Sequence, residues 1–276
     1  MQLISGSVGS GGTNVVSDVA LVKAILLKTT RATGPGRVAG PYLESYDGIA
    51  DATATAAISA FQTDHLMVLN AARQSVLATN TTAGQVKPDD ATWAKMLTQV
   101  PAEFVNLRVL AGGRTVYVEA TAAERQTKIG AVSGLTFTAA FRTKVIACIN
   151  KMYADYGIVL GVCRNGDRRT FQAQFEIRRD TPTNTHAGPG ESNHNFGMAC
   201  DIGFGGLRWL HANGAVDSNE TCWLHHLDPA QRGTSPEANR FWDAMRAVGE
   251  SSTVGAFRGP VGDRPHLQTG ATETSQ

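Results

Sequence analysis

The sequence predicts an α+β chain in two unequal parts, on three observations. Its 276 residues correspond to about 1.8 domains at the usual domain size. The first 100 residues carry helical patterns only. Beyond them, helical and strand-like segments mix without the regular strand–helix–strand succession of a parallel α/β sheet.

The elements follow in order. After a Gly/Ser-rich start (Gly6 to Gly12), Ser17 is positioned to cap a helix over about 18–29, with Val19, Val22 and Leu26 on one face. A Gly/Pro-rich loop (Gly34-Pro35-Gly36, Gly40-Pro41) separates it from a second helix opened by Asp51, whose apolar face is Ala54, Ala57, Ile58 and Phe61. A third short helix starts after Pro88, with Asp89 or Asp90 at its cap and Trp93, Met96 and Leu97 inward. Residues 1–100 thus read as a small three-helix domain. Residues 101–135 read as a connector, in which Arg114 to Glu119 alternates like a strand and Gly130 and Gly134 punctuate the rest. Residues 136–276 form the second domain. It opens with a helix over 138–156, where Phe141, Val145, Ile149, Met152 and Tyr156 recur at helical spacing and Gly157 stops the run. Strands are expected at 158–163, ending at Arg164, and at 198–204. A late helix over 236–248 carries Phe241, Trp242 and Met245.

Composition excludes several classes. With 42% hydrophobic and 18% charged residues, 29 Gly and 10 Pro, the chain is neither disordered nor collagen-like nor a coiled coil. Net charge is +1, and the first 100 residues hold 7 basic and 7 acidic groups, so no part is a basic module and nucleic acid is not an expected partner. No run approaches the ~18 apolar residues of a spanning helix, so no membrane insertion is expected. Met1 to Gly6 has neither the charge nor the apolar stretch of a signal peptide, which predicts synthesis in the cytoplasm without one. Cys148, Cys163, Cys200 and Cys222 lack CxxC spacing and read as buried free thiols, with a disulfide formed in an oxidising compartment as the alternative and no pairing fixed by the sequence.

The chemistry concentrates in the second domain. Glu191-Ser192-Asn193-His194-Asn195-Phe196-Gly197-Met198-Ala199-Cys200-Asp201 places a histidine and an aspartate seven positions apart across a glycine turn that leads into a strand. Such a turn can fold both onto one metal. Zinc accepts imidazole nitrogen and carboxylate oxygen, and a catalytic site needs a third protein ligand. Asp263-Arg264-Pro265-His266 offers one, with a second carboxylate three residues before it.

Ser-Asn-His-Asn-Phe-Gly-Met-Ala-Cys-Asp resembles the S-x-H-x-x-G-x-A-x-D signature of the zinc D,D-carboxypeptidases and L-alanyl-D-glutamate endopeptidases that cut peptidoglycan peptides. Asp263-Arg264-Pro265-His266 is similar to that family's closing D/E-x-x-H element. Val162-Cys163-Arg164 ahead of Gln172 and Gln174 matches its upstream arginine and glutamine-bearing helix. The resemblance covers about residues 136–270 and implies an α+β zinc peptidase domain with an antiparallel sheet. It implies that His194, Asp201 and His266 hold one Zn²⁺, that Asp263 is the general base, and that Arg164 stabilises the oxyanion; Gln172 in the glutamine-bearing segment, Ser192 in the motif and His186 in the loop before it are candidate substrate contacts by their place in the sequence. The gap between Arg164 and the glutamines is longer than the family's usual one and contains Arg168 and Arg169, either of which can take the role given to Arg164. His225-His226 beside Trp223 reads as a solvated loop pair.

The first domain is similar to the three-helix peptidoglycan-binding module through Asp47-Gly48-Ile49-Ala50-Asp51-x-Thr53-x-x-Ala56-x-Ile58-x-x-Phe61-Gln62, although Asp51 stands where that module commonly has glycine. Together the two resemblances imply a monomeric cell-wall lysin that binds peptidoglycan and hydrolyses an amide of its stem peptide. The Asp263 form of the closing element favours the L-Ala-D-Glu endopeptidase branch over D-Ala-D-Ala carboxypeptidases or cross-link endopeptidases. Action in the periplasm or cell wall would follow holin release, as for a phage endolysin, or injection, as for an effector. A catalytically silent wall-binding adapter and a metal hydrolase of non-wall amides are the readings from other classes.

Overall fold

The computed structural model describes residues 3–31, 39–163, 166–182, 187–219, 235–255 and 265–269, with side chains of 217–219 excepted. In chain order the elements are β1 (Val8–Gly9), α1 (Val16–Lys28), α2 (Ala52–His65), β2 (Met67–Leu69), β3 (Ser75–Leu77), β4 (Gln85–Val86), α3 (Ala91–Gln99), β5 (Leu107–Val109), β6 (Val116–Val118), α4 (Ala122–Ser133), α5 (Ala139–Tyr156), β7 (Leu160–Val162), α6 (Phe171–Asp180), β8 (Ala199–Phe204), β9 (Leu207–Leu210), β10 (Val216–Asn219), α7 (Pro236–Gly249) and β11 (His266–Gln268). Among the described residues, seven α-helices with small sheets make the chain mixed α and β, as an α+β chain requires. Every strand pair whose register is described runs antiparallel. No helix among the described residues is long and apolar enough to cross a membrane.

The chain divides into two compact units, Met1–Glu119 with Arg208–Asp217, and Ala120–Leu207 with Ser218–Gln276. This division differs from a break near residue 100. The segment read as a connector is split: β5 and β6 join the first unit, while α4 belongs to the second. The physical reason is pairing. β6 lies between β5 and β9 in a sheet of order β10-β9-β6-β5, so its backbone groups are satisfied on both edges by strands of the first unit.

The first unit is therefore more than three helices. Its centre is α1, whose residues Ser17 to Leu27 are all buried, beyond the one-sided stripe expected from Val19, Val22 and Leu26. Ser17 does not cap it. The helix begins two residues earlier, at Val16 after Val15, with no side-chain cap. Asp18 turns back instead, and one carboxylate oxygen accepts from Ser5 N–H (2.9 Å), Ser5 Oγ (2.8 Å) and Gly6 N–H (2.8 Å). Lys23 is 4% exposed and places its ammonium 2.6 Å from Asp47 and 3.2 Å from the Ile49 carbonyl. α2 is capped by Asp51 and α3 by Asp90, each accepting the N–H three residues on. Ala54, Ala57, Ile58, Phe61, Trp93 and Met96 are buried as their spacing predicts. Tyr46 is a buried tie between strands: its hydroxyl donates to the Leu210 carbonyl and accepts from Val116 N–H.

In the second unit α4 begins with a capping box, Thr121 and Glu124 each accepting the other's backbone N–H. α5 is capped by Thr138 and ends at Gly157. Phe141, Val145, Cys148, Ile149 and Met152 form its buried face, against β7 and α7. The sheet order is β11-β8-β7. Because side chains alternate along a strand, Cys200, Ile202 and Phe204 of β8 point to the core, where Phe204 meets Phe241 (ring centroids 5.9 Å) and Trp242 (4.9 Å). Ala199, Asp201 and Gly203 then face the other way. Cys148 and Cys200 are free and buried, whereas Cys163 is disulfide-bonded, the alternative to a free thiol. Cys222 lies outside the described residues.

Candidate metal centre

Sheet register brings the first two site residues together. His266 on β11 is the direct antiparallel partner of Asp201 on β8, so both side chains leave the same face of the sheet a few ångströms apart. His194 comes from the 3-10 turn Asn193–Phe196 that feeds β8. Ser192 caps that turn, accepting from His194 N–H at 3.3 Å. Gly197 closes it at φ +68°, and a Cβ there would stand 2.7 Å from the Thr136 carbonyl oxygen. Glycine is thus demanded twice, by conformation and by space. Gly166 has a similar duty: a Cβ would meet the Asp201 carbonyl oxygen at 2.7 Å, and its own carbonyl accepts from Asp201 N–H (2.7 Å).

Three donor atoms converge. His194 Nε2 is 3.2 Å from His266 Nδ1 and 3.6 Å from Asp201 Oδ1, and His266 Nδ1 is 3.5 Å from the same oxygen. A tetrahedral centre with bonds of ~2.0–2.2 Å has donor–donor edges of roughly 3.3–3.6 Å. The triangle therefore fits three ligands of such a centre, and the His-Asp-His group can hold a metal ion.

Hydrogen bonding outside the triangle strengthens the fit. His194 Nδ1 is 2.9 Å from the Asp167 carbonyl, which only accepts, so this nitrogen carries the hydrogen. His266 Nε2 is 3.1 Å from Gln268 Oε1, an oxygen that also accepts from Asn193 Nδ2 at 2.9 Å. Both inward nitrogens are then lone pairs, and they face each other and a carboxylate. Lone pairs this close repel unless a cation lies between them, which is the condition a metal satisfies. Asp201 is anionic for this purpose. Burial opposes its ionisation, and the Arg169 guanidinium beside it favours the charged form. Arg169 Nη2 takes the second carboxylate oxygen at 2.7 Å.

The other predicted site residues fall as follows. Gln172 is exposed on α6 and donates to Glu176 at 2.8 Å, away from the triangle's hydrogen bonds, whereas Gln174 is fully buried and donates to the Ala187 carbonyl at 3.0 Å. Arg168 Nε donates to the Asn195 carbonyl (3.2 Å), and Arg169 is engaged by Asp201. Arg164, Asp263, His186, Trp223, His225 and His226 lie outside the described residues. Trp209 is core in the first unit, edge-on to Tyr117.

Sequence reasoning missed three supports. Asn195, 2% exposed, accepts from Gly190 N–H (3.0 Å) and donates to the Arg169 carbonyl (3.0 Å), pinning the loop before His194 to the start of α6. Arg169 and Gln268 hold Asp201 and His266. Gln268 had a signal: two residues past His266 in a strand, it must share that ligand's face.

No family model matches the chain, and no curated protein matches it at significant similarity.

Proposed function

We propose that the protein is a zinc-dependent peptidoglycan peptidase that hydrolyses an amide of the stem peptide, of the L-Ala-D-Glu endopeptidase type. The observation that carries the reading is the three-donor face in which His194, Asp201 and His266 each have an outer partner. It coincides with the motif residues that resemble this family. His194, Asp201 and His266 would hold the zinc. When bound, Zn²⁺ supplies a Lewis acid that lowers the pKa of water and polarises a carbonyl. Asp263, three residues before His266, accepts a proton from the attacking water and returns it to the leaving amine. Arg164 lies one residue after Cys163, whose N–H donates to the Asp201 carbonyl at 2.8 Å, and its guanidinium meets the charge that develops on the scissile carbonyl. Asp167 and Arg169, both bonded to the ligands, also line a cleft of about 460 Å³ along α6, a concave surface for the peptide. The first unit is the wall-binding part. The Cys163 disulfide supports work in an oxidising compartment, as the periplasm is.

The test is mass spectrometry of muropeptides after digestion of purified sacculi, with and without chelator. Products split between L-Ala and D-Glu, lost on chelation and restored by Zn²⁺, are expected. Release of D-Ala alone would move the activity to the carboxypeptidase branch, and chelator-insensitive cleavage would remove the metal mechanism. Asp263→Ala should abolish hydrolysis with zinc content unchanged. Retained hydrolysis would exclude it as the base.

A further inference from the structure

We infer that Gln268 is a positioning residue that selects the metal-binding tautomer of His266, with Asn193 holding Gln268 in turn. The inference rests on the metal centre proposed above. Gln268 is 1% exposed, on the same face of β11 as His266 and paired with Ala199 of β8. Its Oε1 receives Asn193 Nδ2 at 2.9 Å and faces His266 Nε2 at 3.1 Å. With Gln268 turned as it is in the structure, its oxygen faces both groups, which makes Asn193 Nδ2 and His266 Nε2 the donors. Its Nε2 is buried and has no hydrogen-bond partner among the described residues. A buried donor left unsatisfied carries a cost that an apolar side chain would avoid. The position therefore needs the oxygen enough to carry the idle nitrogen.

What the oxygen does follows from the alternative. With its hydrogen on Nε2, His266 turns the Nδ1 lone pair towards His194 and Asp201. With its hydrogen on Nδ1, the ring would instead donate to Asp201 Oδ1, 3.5 Å away, and the ligand triangle would satisfy itself without a cation. Gln268 stabilises the first arrangement and disfavours the second. Asn193 ties this to the motif turn: it precedes His194, so one short segment supplies a ligand and the hydrogen bond that orients another ligand's partner. Outer partners of this kind change metal affinity by about 10–100-fold.

The experiment uses the full chain and two readouts: Zn²⁺ affinity by chelator competition, and the tautomer of His266 in the metal-free protein by long-range ¹⁵N–¹H correlation. Gln268→Met, similar in size but without the amide oxygen, should weaken Zn²⁺ binding by about 10–100-fold and shift His266 towards the Nδ1–H form. Gln268→Glu keeps an acceptor and should bind at least as tightly as the parent. Asn193→Ala should fall between parent and Gln268→Met. Circular dichroism and urea midpoints of the chelated proteins control for folding. A Gln268→Met affinity within twofold of the parent, or a parent His266 in the Nδ1–H form, overturns the role of Gln268. A parent that binds no Zn²⁺ overturns the metal reading by itself, and the tautomer measurement then still decides on Gln268.

Discussion

At the scale of single residues, Gly197 shows how one backbone requirement supports chemistry three positions away. Its left-handed conformation ends the turn that carries His194, and the space a side chain would need is filled by the Thr136 carbonyl. Gly197→Ala should cost roughly 1–3 kcal/mol in urea unfolding and weaken metal binding as His194 shifts. A loss under about 0.5 kcal/mol, the size of an ordinary surface change, would contradict both. The cysteines give a second prediction. Burial pushes the Cys148 thiol up to about 12 and raises Cys200 as well, with nearby Asp201 adding to the latter. Thiolate is the reactive form, so both should resist thiol reagents at pH 8 in the native protein and react only on unfolding. Fast labelling of either residue in folded protein would show that its burial is wrong.

At the scale of elements, α1 was legible as a helix but not as a core helix. Asp18 and Lys23 look like solvent-facing interruptions until their partners are known, and those partners sit at Ser5, Gly6 and Asp47, out of reach of any local pattern. The Lys23–Asp47 pair makes a pH prediction. Burial would raise the Asp47 carboxyl, but the Lys23 ammonium and the Ile49 N–H prevail and hold it below the usual range. The folded form thus binds a proton less readily than the unfolded chain, so stability rises with pH across the carboxylate range. The pair's contribution is complete above about pH 4 and is lost as pH falls through the depressed folded value. Urea midpoints from pH 7 down to pH 2 should drop more steeply for the parent than for Asp47→Asn, and parallel curves would refute the assignment. The α4 capping box was equally readable, as Thr121-x-x-Glu124, and the weight given to Gly130 and Gly134 hid it. β2, β3 and β5 span three residues each, too short for any period to declare itself. The site fared best because its motif lists side chains, whereas what joins Asp201 to His266 is a register that no single segment encodes.

At the scale of the whole molecule, the first unit is discontinuous, and this decides how wall binding can be tested. Residues 1–100 omit β5, β6 and the returning β9, including Leu107, Val116 and Leu210 of the buried cluster around α1. That fragment should show no cooperative thermal transition by circular dichroism, while the full chain does. A sharp transition in the fragment would mean that the helices suffice. Binding to sacculi is therefore best measured on the intact protein carrying an inactivating change at Asp263.

The same discontinuity governs how the chain is made. Val118 of β6 pairs with Arg208 of β9, so during synthesis at ~5–20 residues per second a ribosome adds some 90 residues, over roughly 5–20 seconds, before that pairing is available. Throughout this interval one edge of β6, with Val116, Tyr117 and Val118, is an open template for unwanted strands. The first unit can be completed only after Ala120–Leu207 of the second has been made. Yield in the cell should consequently respond to translation speed and chaperone supply more than equilibrium stability alone would suggest.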